Sequence, residues 1–201
     1  MHVLVTHQLL GEESAVESWK WGLVPLLLIA VYTDWRWQKI FNWLTFPAIL
    51  LGLLLAALTG LGQGGLAAGS SAILSALAGA GLMIVIFFLL LQTGGMKAGD
   101  LKLMTAVGAW LGWPLALSAL VDVFLAGGVL ALSWAIAHRA LGRTIRQVRD
   151  FFWALAGGMA PQDLLPESAA PLFPYGIAIA AGTILAMLLP PLLPWEVGQK
   201  W

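Results

Sequence analysis

The stretch AILSALAGAGLMIVIFFLLLQ, residues 72–92, decides the fold, because it has no charged side chain and is long enough to cross a bilayer. At about 1.5 Å rise per residue, it covers the ~30 Å hydrocarbon layer as one helix. The composition, 60% hydrophobic and only 10% charged, excludes a soluble globular core. We therefore predict an all-α, polytopic integral membrane protein with about six transmembrane helices. The other apolar runs lie at 19–33, 43–60, 101–111, 115–138 and 174–194.

The bounds of the fourth helix stay open at this point. Residues 101–111 cover only about half of the hydrocarbon thickness, and Pro114 offers a natural start for the next helix. Either the chain enters the membrane as a re-entrant loop at Gly94-Gly95, or the fourth helix continues past Pro114 with a kink. Both versions give six helices. The small residues at 60–71 predict a short outer loop between the second and third helices.

The basic residues predict the orientation. Most of them fall in the loops after the first, third and fifth helices, which lie on one side of the membrane and face the cytoplasm by the positive-inside rule. Both termini, with segment 1–18, are then outside the cell membrane. The loop at 139–173 is cytoplasmic, and its residues 143–156 form either a helix on the inner leaflet or a solvated basic loop. The basic residues on this side are Arg36, Lys39, Lys97, Lys102, Arg139, Arg143, Arg146 and Arg149.

Cysteine is absent, which excludes disulfides, thiolate zinc sites and a thiol nucleophile. The histidines, His2, His7 and His138, are scattered and are poor candidates for a shared metal. We therefore expect no cofactor, no metal site and no nucleic-acid partner. Residues 1–201 are predicted to form a single transmembrane domain.

Two aspartates carry the functional interpretation. Asp34 follows the first apolar run and Asp100 precedes the fourth, so both are predicted at the same cytoplasmic edge. A carboxylate at membrane depth is costly and is usually kept for chemistry or transport. Two neighbouring carboxylates cannot both ionise easily, and they therefore share one proton. This is the catalytic arrangement of an aspartic protease. The structural alternatives are a helix N-cap for Asp100 and a solvated helix end for Asp34.

The residues around both aspartates narrow this choice. DWRWQKIFNWLT, residues 34–45, and GGMKAGDLKL, residues 94–103, resemble two motifs of type IV prepilin peptidases, the second of which is Gly-x-Gly-Asp. FPYGIA, residues 173–178, is similar to the final-helix signature of that family. The resemblance implies an A24-type intramembrane aspartic endopeptidase of GxGD architecture, with Asp34 and Asp100 as the catalytic pair. The supporting residues that it implies are Gly99, Lys102, Arg36 and Asn42.

The same resemblance implies the substrate. It is a type IV prepilin or pseudopilin whose basic leader stays in the cytosol while its apolar N-terminal helix lies in the bilayer. Cleavage would follow a glycine at the cytoplasmic membrane face, so the expected partners are this protein and the lipid bilayer. Bifunctional members of the family also carry a cysteine-rich loop and an N-methyltransferase segment. This sequence has no cysteine and no room before Asp34, so we expect a short, peptidase-only form such as those that serve Flp-type pili.

Two positions depart from the family motifs. Lys97 stands where the first glycine of Gly-x-Gly-Asp would be, and Phe41 replaces the proline before Asn42. Glycine at the first of these positions would allow a positive φ. Whether lysine can replace glycine at position 97 of the motif therefore depends on the backbone conformation there.

The competing class of protein is a small proton-coupled transporter or channel component, in which Asp34 and Asp100 bind or relay protons. Transporters usually place their site near the bilayer midplane with access from both faces, whereas both acids are predicted at one face. A non-catalytic scaffold would not need both motifs. Asp122 lies either two turns into the fifth helix or in an outer turn, and we expect it to have a structural or supporting role.

Overall fold

The computed structural model describes residues 18–92, 96–137, 139, 142, 146, 149 and 175–189. Every regular element in this part of the chain is helical. After a 3-10 turn at Ser18–Gly22 come α1 at Leu23–Trp37, α2 at Asn42–Gln92, α3 at Ala98–Leu111, α4 at Leu115–Ala137 and α5 at Tyr175–Leu188.

Three of the predicted segments cannot be compared with this structure. Gly94-Gly95 and residues 1–17 lie outside the described residues, and segment 143–156 is described only at positions 146 and 149. The re-entrant loop, the outer N-terminal segment and the interfacial helix therefore stay predictions.

Helix α2 contains two of the predicted apolar runs. Its 51 residues are interrupted only at Gly64 and Gly65, and Gly65 has a φ of 66°, which glycine adopts readily. The two arms approach closely, since a Cβ on Gly60 would lie 2.9 Å from the Cα of Gly69. The predicted loop at 60–71 was wrong in extent, because alanine, leucine and serine around the two glycines continue the helix on both sides.

Two of the helices, Asn42–Gln92 and Leu115–Ala137, are long and apolar enough to cross a membrane. α5 is a shorter apolar helix. The outer face of α2 exposes a row of large apolar side chains at helical spacing, which is the surface that a lipid-facing helix presents. These side chains are Trp43, Phe46, Leu50, Leu54 and Leu58.

A break separates α3 from α4. α3 ends at Leu111, and α4 begins directly after Pro114. A fourth helix that continues through Pro114 is therefore wrong, while the re-entrant loop stays a prediction. As a result, Asp122 lies about two turns into α4, where only 3% of its surface is exposed. Among the described residues, its Oδ1 has no hydrogen-bond partner.

Helix α3 is the most enclosed helix of the described fold, and its packing fixes the position of Asp100 relative to α2. Its backbone meets that of α2 at Gly108 and Gly79, where a Cβ on either glycine would collide with the other helix. Trp110 packs over Gly52 and donates its Nε1–H to the carbonyl oxygen of Ala48 at 2.7 Å. Such close approach at small residues is typical of helix contacts in membranes.

Helices α4 and α5 form the second tightly packed pair. Gly182 of α5 lies directly against the backbone of Val123, with no space for a Cβ. α4 also contacts α2 through the stacked rings of Phe124 and Phe87, whose centroids are 6.0 Å apart. α5 is thereby held so that its first turn lies beside the last turn of α1.

Candidate active site

Asp34 lies in the last turn of α1. The helix continues beyond it to Trp37 and ends at Gln38, which has a left-handed conformation with φ 54°. The N–H of Gln38 donates to the carbonyl oxygen of Asp34 at 2.9 Å and so closes the final turn. The Asp34 side chain is only 1% exposed, so the alternative of a solvated helix end is wrong.

Asp100 lies in the first turn of α3 and is equally buried, at 2% exposed. Its Oδ2 accepts the backbone N–H of Lys97 at 3.1 Å, and its own N–H donates to the carbonyl oxygen of Lys97 at 3.0 Å. Lys97 is the N-cap of α3 and Asp100 is its third residue, so the alternative in which Asp100 is the N-cap is wrong, although its carboxylate does accept the N-cap backbone N–H. The capping bond accounts for one carboxylate oxygen only.

Both carboxylates line one open cavity of about 530 Å³. The rest of its wall comes from the α1–α2 connection, the start of α2 and the loop before α3. This volume lies within the range of small-ligand clefts. The other residues that line it are Gln38, Lys39, Ile40, Phe41, Asn42, Trp43, Lys97 and Gly99.

The environment of Asp100 favours its protonated form. Asp100 precedes the apolar run of α3, and the combined effect of its surroundings raises its pKa from 3.8 to about 6, with loss of hydration on burial as the largest cause. The backbone hydrogen bond from Lys97 lowers the pKa, the charge of Asp34 raises it, and the charge of Lys97 lowers it again. Asp100 therefore keeps its proton to a higher pH than an ordinary aspartate does.

Lys97 has a defined place in the site. Its backbone is extended, with φ −97° and ψ 153°, which any residue can adopt, so this position does not require glycine. Its Nζ donates to Oε1 of Gln38 at 2.9 Å and thereby joins the loop before α3 to the end of α1. The lysine that departs from the family motif thus bridges the two segments that carry the aspartates.

The predicted supporting residues differ in their contacts and in whether they line the cavity. The Nζ of Lys102 donates a hydrogen bond to Oδ1 of Asn42 at 2.8 Å. This is the second side-chain bridge of the site, and it joins α3 to α2. Gly99 lines the cavity beside Ile40, and an added Cβ would lie 3.1 Å from the Ile40 Cβ. Arg36 is exposed, has its guanidinium 6.0 Å from the Trp37 ring and does not line the cavity.

One contact of the site was missed from the sequence. The N–H of Gly176, in the first turn of α5, donates to Oδ2 of Asp34 at 2.9 Å. The only sequence signal was the FPYGIA signature at 173–178, which did not indicate a contact 142 positions away. Gln38 and Ile40 were also not predicted as site residues.

Comparison with known proteins identifies the family. Residues 21–132 match the type IV leader peptidase family. The chain belongs to this family. The matched range includes Asp34 and Asp100 and ends before α5, and the predicted resemblance to prepilin peptidases is confirmed. No solved structure matches the chain.

Individual leader-peptidase relatives are similar over part of their length. The chain is 33% identical to the prepilin leader peptidase/N-methyltransferase of Neisseria gonorrhoeae, over 70% of this chain and 49% of the relative. It is 32% identical to the protein of the same name from Escherichia coli K12, over 63% of this chain and 54% of the relative. A third relative of that name, from Aeromonas hydrophila, is 32% identical over 56% of this chain and 42% of its own length. The chain thus spans about half the length of these relatives.

Within residues 18–92, 96–137 and 175–189, no group of three or more acidic or histidine side chains is close enough to hold a metal ion. The chemistry open to the described site is that of its two carboxyl groups, which can exchange protons with water and with a carbonyl oxygen.

Proposed function

We propose that the chain is an intramembrane aspartic endopeptidase that removes the basic leader from type IV prepilins or pseudopilins. The observation that carries this proposal is that Asp34 and Asp100, both almost fully buried, line the same cavity. Membership of the leader peptidase family and the names of the relatives support the substrate class. We propose a peptidase without methyltransferase activity, since the sequence contains no cysteine.

In the mechanism that we propose, the two aspartates have opposite protonation states. Asp34 is ionised and takes a proton from a water molecule as the water oxygen attacks the scissile carbonyl carbon. Asp100 is protonated and donates its proton to the carbonyl oxygen. Two observations support this assignment. The pKa of Asp100 is raised, and Asp34 accepts a hydrogen bond from the N–H of Gly176.

The position in the membrane is part of the proposal. Six spanning helices, formed by α1, the two arms of α2, and α3, α4 and α5, would place the cavity at the cytoplasmic face with both termini outside. Lys39 and Lys97 in the cavity wall, with Arg36 and Lys102 close in sequence, support a cytoplasmic face. This depth suits a substrate cleaved between a basic cytosolic leader and an apolar helix.

The cleavage experiment uses the purified chain in detergent with a prepilin that carries a basic leader, a glycine and an apolar helix. We expect release of the leader after the glycine, and no release from a prepilin in which this glycine is replaced by a bulky residue. The proposed function is overturned if the intact prepilin is not processed by correctly folded enzyme.

Cysteine labelling tests the orientation. The chain contains no native cysteine, so single cysteines at Gln38 and Ala98 give no background signal. We expect both to be protected from an impermeant thiol reagent in intact cells and to react once the membrane is permeabilised. A cysteine at Gly62, which has open space around it near the break in α2, should react in intact cells. Labelling of the first two positions from outside would contradict the cytoplasmic site.

The pH profile tests the proton-donor role of Asp100. Activity that needs protonated Asp100 falls as the pH rises through its pKa, and the charge of Lys97 lowers this pKa. Lys97→Met removes the charge, so the alkaline fall in cleavage rate should move to higher pH. Gln38→Ala breaks the hydrogen bond from Lys97 but keeps the charge, so it should not move the profile upwards. An unchanged or lowered midpoint in Lys97→Met would contradict this role.

A further inference from the structure

Gly176 touches Asp34 more closely than any side chain would allow. Its N–H donates to Oδ2 of Asp34 at 2.9 Å, and both residues are buried. A Cβ on Gly176 would lie 3.0 Å from that oxygen and 3.1 Å from the Asp34 Cβ. Any larger residue would therefore displace the carboxyl group or lengthen the hydrogen bond.

The two helix ends that meet here differ in polarity. Asp34 lies in the last turn of α1, where the helix dipole disfavours a negative charge. Gly176 lies in the first turn of α5, where the backbone N–H groups have no acceptor within the helix and the dipole favours a negative charge. The start of α5 therefore offsets the unfavourable field of α1 at this carboxylate.

We propose that Gly176 is a positioning residue for Asp34. Its N–H holds Oδ2 in place, and its missing side chain lets the start of α5 come close enough to form this hydrogen bond. The other oxygen is left for the attacking water. This inference rests on the proposed function for its catalytic consequence, but the hydrogen bond itself can be tested without it.

The kinetic test compares Gly176→Ala, at the contact between α1 and α5, with Gly127→Ala, at the contact between α4 and α5. Gly176→Ala should lower kcat for prepilin cleavage about tenfold and leave KM within twofold, since a misplacement of ~1 Å costs on the order of a hundredfold and this shift is smaller. Gly127→Ala is the matched control, because its Cβ would meet Tyr175 and Ala178 at an ordinary 3.6 Å. It should cleave at the wild-type rate. Wild-type kcat in Gly176→Ala, or a loss confined to KM, would overturn the proposal.

Hydrogen exchange gives a measurement that does not depend on activity. In protein labelled with [15N]glycine, Asp34→Ala should accelerate exchange of the Gly176 amide at least about tenfold, because the amide loses its acceptor. The amide of Gly182, further along the same helix, should keep its rate. Equal Gly176 rates in both proteins would overturn the inference even if Gly176→Ala failed to fold. If the wild type did not process prepilin, the proposed function would fail while this comparison still decided the hydrogen bond.

Discussion

Asparagine in place of either Asp34 or Asp100 should lower prepilin cleavage by at least about a thousandfold, because the two groups act as one unit. Asparagine keeps the shape of the side chain but can neither take a proton from water nor donate one to the scissile carbonyl as a carboxyl group does. The hydrogen bonds from Gly176 and Lys97 can still be accepted by an amide oxygen, so each variant should insert and accumulate normally. The measurement is leader release by purified variants in detergent.

Two further variants extend this test: the double variant of Asp34 and Asp100, and a variant of the buried Asp122. Asp34→Asn combined with Asp100→Asn should be no less active than either single variant, since effects within one catalytic unit are not additive. Asp122→Asn changes an equally buried aspartate that does not line the cavity, and it should cleave near the wild-type rate. Substantial processing by either single variant of the pair would rule out the proposed mechanism.

Valine at Gly99 should reduce cleavage about a hundredfold, which is the loss expected for ~1 Å of misplacement. The first atom of the new side chain would already lie 3.1 Å from the Cβ of Ile40, and the two methyl groups would add to this overlap. The start of α3, which carries Asp100, would therefore move away from the connection between α1 and α2. The assay is the same leader release, with membrane abundance measured in parallel.

Ala98→Val provides the control for this substitution. Ala98 is the neighbouring residue and is exposed at the start of α3, so an equally branched side chain there meets no comparable obstacle. We expect it to retain most of the wild-type rate. Equal activity of the two valine variants would show that the close contact with Ile40 is not needed for the site.

The sequence predicted the helices correctly where one property, such as the absence of charge or the presence of a proline, characterises a segment. The uncharged run at 72–92 became the second arm of α2, and Pro114 gave the correct break before α4. Asp34 and Asp100 were predicted at equal depth, and the structure brings both to one cavity. Their catalytic role stays a prediction. The extent of the loop at 60–71 was misjudged, because small residues are compatible with both helix and loop.

The contacts within the site could not be read from the sequence. Lys97 and Gln38 are 59 positions apart, and Gly176 and Asp34 are 142 apart. Each contact depends on how two helix ends are brought together by packing elsewhere, and no periodicity in the chain encodes that geometry. Lys97 illustrates the difficulty, because only its departure from a family motif was visible, whereas its partner required coordinates.

The glycine contacts that hold the bundle have a consequence for how the molecule responds to its surroundings. Gly79 with Gly108, and Gly182 with Val123, bring main chains together directly, so these interfaces depend on dispersion between closely fitted surfaces. Expulsion of water contributes little to such an interface inside a bilayer, because lipid tails are as apolar as the side chains that they replace. A micelle offers the same kind of apolar medium. The geometry at the cavity should therefore be conserved when lipid is exchanged for detergent, and it should vary little among membranes of different lipid composition.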